Sequence, residues 1–320
     1  MGKPILLGAI LFITIIICSF IVWNLILRPE AGFKETSGKD EVSFEFAVLG
    51  DSGISAGSQY GNGNRVLSNL VQMINKVGPD FTVFTGDGPE QGGPIDNMII
   101  FRDTLSSLSG PWYPVIGNHE IYRGASADGE KGDGEDNFLK VFGDKLPLRD
   151  ARGKVVSYYS FDFKETHFIV LDTAWQDKAE SKKKGLYPGG TQWNWLLRDL
   201  QSARPKYRHI FIFGHEPPLL PYPFKNNKNV NKLGSLYGTS WHCPEAAKDF
   251  IQLCRQYSVD AVFSGHMHTY LKFIDNSVTY VITGGAGQEL HTPSVFGGFH
   301  HYVRCSVTRD RIKYVVVPLN

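Results

Sequence analysis

Six side chains of metal-ligand type stand at the ends of apolar runs: Asp51, Asp87, Asn118, His215, His266 and His268. Five are led in by glycine, in Gly50-Asp51, Gly86-Asp87, Gly117-Asn118-His119, Gly214-His215 and Gly265-His266-Met267-His268. Carboxylate, amide oxygen and imidazole together suit Zn, Fe or Mn, whereas Mg and Ca prefer all-oxygen shells. Two Asp, one Asn and three His suffice for two cations if one carboxylate bridges them. Ions about 3.5–4 Å apart can generate hydroxide at neutral pH and clamp both oxygens of an in-line displacement. Each motif alone is an ordinary turn; their recurrence along one chain carries the argument.

For these side chains to converge, the runs that carry them must be strands lying side by side. Ligands in open α/β sheets gather beyond the carboxyl ends of strands. The run Phe81-Thr82-Val83-Phe84, preceded by Gly78-Pro79, reads as a buried strand ending at Asp87, and residues 44–50 read as another ending at Asp51. Val66, Leu67, Leu70, Val71 and Ile74 recur at helical spacing. Residues 94–108 form a second amphipathic segment and 112–117 a strand. Residues 124–136, rich in Gly, Asp and Glu, are expected to be a mobile loop near the site. Residues 158–163 and 167–172 read as a hairpin joined by Lys164-Glu165-Thr166. Thr191 is expected to N-cap a helix presenting Trp193, Leu196, Leu197 and Leu200. Strands at 209–213, 260–264 and 280–283, a helix opened by Pro244 and a final pair around Arg309-Asp310 complete the body. Strands alternating with helices, then hairpins, imply an α/β core with mixed sheets.

The chain has 320 residues, 42% of them hydrophobic, enough for a sizeable core. Its 33 basic and 32 acidic side chains give a formal charge of +1, so no nucleic-acid partner is expected. Residues 4–27 carry no charge and are long enough to cross a bilayer. The run is longer than a signal peptide's apolar region and lacks the small residues of a cleavage site. Ile17 before Cys18 argues against lipoprotein processing. The expected layout is therefore a single transmembrane anchor over 1–28, a polar linker over 29–41 and one domain over 42–320. The catalytic domain is expected outside the cytoplasm, although Lys3 against Arg28, Lys34 and Lys39 would favour the opposite on a charge count. Cys243, Cys254 and Cys305 read as buried thiols, with a Cys243–Cys254 pair as the alternative for an exported body.

The ordered set of Gly-Asp-Ser-Gly at 50–53, Gly-Asp at 86–87, Gly-Asn-His-Glu at 117–120, Gly-His at 214–215 and Gly-His-Met-His at 265–268 resembles the calcineurin-like metallophosphoesterases, which include the purple acid phosphatases. The resemblance runs from residue 44 to the end. It implies two packed mixed β-sheets flanked by helices, here preceded by the transmembrane helix. It also implies two divalent or mixed-valence ions (Fe, Zn or Mn). Asp51 and His268 would bind one, Asn118, His215 and His266 the other, and Asp87 would bridge. His119 would stabilise the phosphoryl oxygens or protonate the leaving group. The implied activity is phosphoester hydrolysis by in-line attack of metal-bound hydroxide on phosphorus, in the form of a phosphomonoesterase. The alternatives are a phosphodiesterase acting on nucleotides or lipid head groups, and a catalytically weak binding protein that keeps the fold. The expected partners are a phosphorylated small molecule or lipid and, through the N-terminal helix, the membrane.

Two departures from the family pattern fall at the first metal. Gly53 stands where most members have His, and Glu90 where the purple acid phosphatases have Tyr. The Glu90 carboxylate or a water is expected to complete that shell, and a purple purified protein would contradict the loss of tyrosinate. His167, His209, His242, His291, His300 and His301 read as structural, and Trp193 and Trp195 as core. Glu120 reads as a holder of the Asn-His loop, and Tyr122 and Arg123 as candidate phosphate contacts.

Overall fold

The apolar runs become strands because both of their faces are covered. The computed structural model describes residues 43–55, 63–90, 94–121, 134–174, 186–221, 231–233 and 237–320. The first half contains β1 (Phe44–Leu49), α1 (Gly63–Val77), β2 (Phe81–Phe84), α2 (Ile95–Leu105), β3 (Trp112–Pro114), α3 (Asn118–Ile121) and α4 (Gly134–Phe142). Next come β4 (Tyr159–Phe163), β5 (Thr166–Val170), α5 (Thr191–Ala203), β6 (His209–Phe213), β7 (Leu220–Pro221), β8 (Asn231–Lys232) and β9 (Tyr237–Thr239). The last elements are α6 (Pro244–Gln256), β10 (Ala261–Ser264), β11 (Tyr270–Asp275), β12 (Val278–Thr283), β13 (His301–Val307) and β14 (Ile312–Pro318).

Two mixed sheets form, ordered β14-β13-β1-β2-β3 and β11-β12-β10-β6-β5-β4. In the first, β1, β2 and β3 are parallel and β13 and β14 join antiparallel. In the second, β5, β6, β10 and β12 are parallel and β4 and β11 edge them antiparallel. A small sheet, β7-β9-β8, stands apart. The expected two-sheet α/β architecture is therefore present.

The sheets meet through phenylalanine. Phe46 and Phe81 of the first stack at 5.3 Å, and Phe46 meets Phe168 and Phe211 of the second edge-on at 5.6 and 5.3 Å. Phe213 and Phe263 stack at 5.1 Å in the same layer. Edge-to-face and offset pairs of this kind add to the gain from burial. Alternation then sends Ile210 and Ile212 to the opposite face, where they pack with Leu196, Leu200, Phe250 and Cys254 from α5 and α6. Strands buried on both faces lose polar alternation, hence the unbroken apolar runs.

Some local expectations are corrected. Residues 134–136 open helix α4 rather than belonging to a loop, because Phe142 buries against Phe101 and Trp112 and Phe138 buries against Phe142; residues 124–133 lie outside the described residues. Gly190, not Thr191, caps α5, since its N–H closes a turn onto Tyr187 and Thr191 is already helical. The three body cysteines are buried free thiols. Cys243 precedes the first residue of α6 and Cys254 lies near its end, so a helix rising 1.5 Å per residue keeps them too far apart for a disulfide. Among the described residues no helix is long and apolar enough to cross a membrane. The expected anchor at 1–28 and linker at 29–41 lie outside those residues, as do Tyr122 and Arg123.

One buried histidine ties the second sheet to α5. His167 Nδ1 lies 2.6 Å from Asp162 Oδ1 and Nε2 lies 2.9 Å from Asp199 Oδ2. The Tyr207 hydroxyl donates to Asp162 at 2.6 Å. Both ring nitrogens face acceptors, so the imidazolium fits. Burial opposes that charge, but Asp199 and Asp162 outweigh it and raise the pKa of His167. A folded pKa above the ordinary value of about 6.5 means the stabilisation is complete below that pH and fades as pH rises through the folded value. His167→Gln should therefore lower the melting temperature by a few degrees near pH 6, the equivalent of about 1.5–3 kcal/mol for a charged hydrogen bond, and by much less near pH 9. Thermal melts of both proteins across that range check the trend.

Candidate metal centre

Every strand that carries a candidate ligand delivers it at the same end of the sandwich. Asp51 follows β1, Asp87 follows β2 and Asn118 opens α3 just after β3. His215 follows β6, His266 follows β10, and His268 lies just before β11. The first sheet thus supplies two carboxylates and an amide, and the second supplies three imidazoles. Asp51, Asp87 and His266 adopt left-handed backbone conformations, at φ of 65°, 56° and 64°. Such conformations are costly for non-glycine residues and persist where surrounding contacts enforce them. Here the Asp51 N–H donates to the Gly86 carbonyl at 3.0 Å, and the His266 N–H to Asp51 Oδ1 at 2.8 Å. Two lead-in glycines are required by close approach. A Cβ at Gly265 would lie 2.3 Å from Asp51 Oδ2, and one at Gly117 would lie 2.2 Å from Asp87 Oδ1.

The six side chains meet in two clusters that share a carboxylate. Asp87, His215 and His266 bring one ligand atom each within 4.8 Å of one another, and so do Asp51, Asp87 and His268. His215 Nε2 lies 3.0 Å from Asp87 Oδ2 and 2.9 Å from Asn118 Oδ1. His266 Nδ1 lies 2.8 Å from the same Asn118 oxygen, and His268 Nε2 lies 3.6 Å from Asp51 Oδ1.

The hydrogen-bond pattern indicates what should occupy these clusters. His215 Nδ1–H donates to the Thr85 carbonyl at 2.9 Å and His268 Nδ1–H to the Glu289 carbonyl at 2.6 Å. Carbonyls only accept, so in the neutral His268 ring Nε2 is left as a lone pair aimed at Asp51, whereas at His215 burial opposes the charge but Asp87 outweighs it and raises the ring to about 10, a proton standing where a cation would bind. Lone pairs facing carboxylates repel unless a cation lies between them. Asp51 Oδ2 is buried and has no hydrogen-bond donor. Burial pushes the Asp51 carboxyl well above its usual range, with His215 opposing. Burial, reinforced by His215, drops His266 to about 3, and burial with His291 drops His268 to about 4. Both rings are thereby kept neutral, the form that ligates metals. The donor set fits two cations, with Asp87 common to both groups of residues that would hold them.

A second layer of contacts holds the ligands. Glu120 Oε2 accepts from the N–H groups of Asp87 at 2.9 Å and Gly117 at 2.8 Å, while Oε1 accepts from Gly88 at 2.8 Å. It ties the loops after β2 and β3 together, as its sequence position suggested. Burial and then the charge of Asp87 push its pKa up to about 7 against those donors. Burial also works against ionisation of Asp87, but His215 and His119 outweigh it and hold that carboxyl below the usual range. His119 Nδ1–H donates to the Glu90 carbonyl at 2.6 Å, which turns Nε2 toward Asp87 Oδ2, 3.8 Å away.

The remaining candidates separate clearly. Glu90 joins neither ligand cluster among the described residues; its Oε2 instead overlies Gly53. His209 pairs with Asp260 at 3.0 Å, and His301 places Nδ1 2.7 Å from the Phe299 carbonyl and Nε2 3.2 Å from the Thr283 hydroxyl, so both are held by structural partners. His291 reads as structural in the sequence, yet its ring stacks on His268 at 3.9 Å and its Nδ1 accepts the His268 N–H at 3.2 Å. Gln288, whose N–H bonds the Asp51 carbonyl, is another residue that nothing in the sequence singles out; a lone polar residue after a Gly-rich run has no periodicity to mark it.

Comparison with known proteins agrees with this geometry. A sequence model of the calcineurin-like phosphoesterases matches residues 44–270. An uncharacterized protein of Mycobacterium tuberculosis is 24% identical over 285 residues, covering 83% of this chain and 48% of that protein. The chain thus spans about half the length of that relative. Purple acid phosphatase 17 of Arabidopsis thaliana is 23% identical over 312 residues, covering 90% of this chain and 81% of that protein. Among solved structures, a dimetal phosphatase from Danio rerio shares the fold with a TM-score of 0.61 at 16% identity, over 87% of this chain and 97% of that one.

Outer-layer partners of this kind are worth about 10–100-fold in metal affinity. Glu120→Gln replaces one acceptor oxygen with a donor that faces backbone N–H groups. It should weaken metal binding by that factor while leaving the chain folded, as read by competitive metal titration alongside circular dichroism.

Proposed function

The chain belongs to the calcineurin-like phosphoesterase family, and from that premise we propose that it hydrolyses phosphate monoesters with two metal ions. The observation that carries this reading is the pair of ligand clusters that share Asp87. Asp51, Asp87 and His268 would hold one ion; Asp87, Asn118, His215 and His266 would hold the other. Fe, Zn or Mn matches the mixed oxygen and nitrogen donors. Glu90 would complete the first ion's shell, directly or through water, an assignment supported by its Oε2 lying over the space Gly53 leaves open. When bound, such a pair of ions makes water nucleophilic at neutral pH and neutralises charge on the phosphoryl oxygens.

The chain's own side chains do the rest. The Glu90 carbonyl fixes the His119 tautomer, with Nδ1 protonated and Nε2 facing the site. A second proton at Nε2 can then be donated to the departing ester oxygen, or held there as a positive charge beside the phosphoryl group. Glu120 keeps Asp87 and Asn118 in register through backbone donors. The substrate class is a phosphorylated small molecule or lipid, and the body is tethered by the apolar segment at residues 4–27 with its site outside the cytoplasm.

Asp87→Asn should lose both metal content and more than about 100-fold in turnover, beyond the effect of outer-layer partners. A fully active variant with its metals retained would reject the role. His119→Ala should slow an alkyl phosphate by about 100-fold or more and an aryl phosphate much less, because only the poor leaving group needs the proton. Equal slowing removes the acid role. Paired chromogenic mono- and diesters decide between the monoesterase and the phosphodiesterase. Absence of turnover on both, with one metal per chain, would favour a binding protein.

A further inference from the structure

At the first metal position, the missing side chain at residue 53 has been replaced by two others. Gly53 sits at φ 58°, and a Cβ built there would lie 2.6 Å from Gln288 Cγ and 2.8 Å from Glu90 Oε2. The volume that an imidazole would enter is thus filled by an amide and a carboxylate. Gln288 comes from the loop after β12, and its backbone N–H donates to the Asp51 carbonyl at 3.0 Å. That bond fixes its position beside the centre independently of the side chain. The residue is only 8% exposed, and its Nε2 has no hydrogen-bond partner.

Buried donors are almost always satisfied, and an exception calls for a ligand. Two unsatisfied groups belong to the residues joined by that backbone bond, an acceptor and a donor that do not bond each other. The carboxylate oxygen Asp51 Oδ2 is left without a donor and suits the cation that the neighbouring ligands would share. The Gln288 N–H needs an acceptor, and a cation cannot supply one. A site that leaves both open is shaped for a metal together with an anion. Resting on the phosphoester reading above, we propose that Gln288 is a substrate-positioning residue. Its Nε2–H donates to a non-bridging phosphoryl oxygen held at the first metal. The exchange of a side chain at 53 for Gln288 thus gives up a ring and gains a donor to the phosphoryl group.

Inorganic phosphate titrated into the metal-loaded full chain tests this without relying on turnover. Gln288→Met keeps the volume over Gly53 and removes the donor. Phosphate affinity should fall about tenfold, with two metals per chain retained. The melting temperature without phosphate should match or exceed the wild type, because an unsatisfied donor has gone. Gln288→Glu keeps the shape but presents an anion, and should weaken phosphate binding further. Unchanged phosphate affinity in the Met variant, or loss of a metal from it, would overturn the assignment, the second outcome making the amide a ligand instead. A wild-type chain that keeps its metals but binds no phosphate would overturn the hydrolase reading as well, so the two failures are distinguishable.

Discussion

Two buried carboxylates, one of them with an oxygen that no donor of the described polypeptide reaches, set the terms for the rest of the molecule. Asp51 and Asp87 are withdrawn from water at the ends of adjacent parallel strands. A buried charge is tolerated only if it is paired or coordinated. Opposite them, the other sheet presents imidazoles kept neutral by burial or oriented by backbone carbonyls. Neither side is stable alone in that arrangement. Lead-in glycines, left-handed backbone at three ligands and the triple acceptor Glu120 are all means of holding this convergence.

The scaffold answers the same demand at a larger scale. Ligands from two sheets can converge only if the sheets keep a fixed separation and register. The layer of Phe46, Phe81, Phe168, Phe211, Phe213 and Phe263 provides this, because interlocked rings resist sliding more than aliphatic side chains do. Parallel central strands put their carboxyl ends on one edge, which explains why the ligands gather there, while at the other end of β6 His209 pairs with Asp260.

Most of this was legible in the sequence, for identifiable reasons. Strands buried on both faces write themselves as apolar runs, and the residue that ends each run is marked by its glycine. Asp51, Asp87, Asn118, His215, His266 and His268 could therefore be picked out, and the structure brings them together. Local cues misled where tertiary packing decided. Acidic and glycine residues at the start of α4 masked a helix that Phe138 and Phe142 pull into the core. His291 and Gln288 carry no local signal, because their importance comes from the loop after β12 folding back over the site. Gly53 and Glu90 announced a departure from the family pattern. That Gln288 shares the vacated space is visible only in three dimensions.

The division of ligands between sheets has a consequence for the whole body. Asp51 lies near its beginning and His268 close to its last strands, so an ion bound to both would fasten distant parts of the chain. Fastening across so long a stretch removes much of the freedom of the unfolded chain, as a cross-link does. Any affinity for the cations is likewise repaid as resistance to unfolding. With its ions bound, the centre would double as a rivet through the open end of the sandwich, joining two layers that elsewhere rest on aromatic contact.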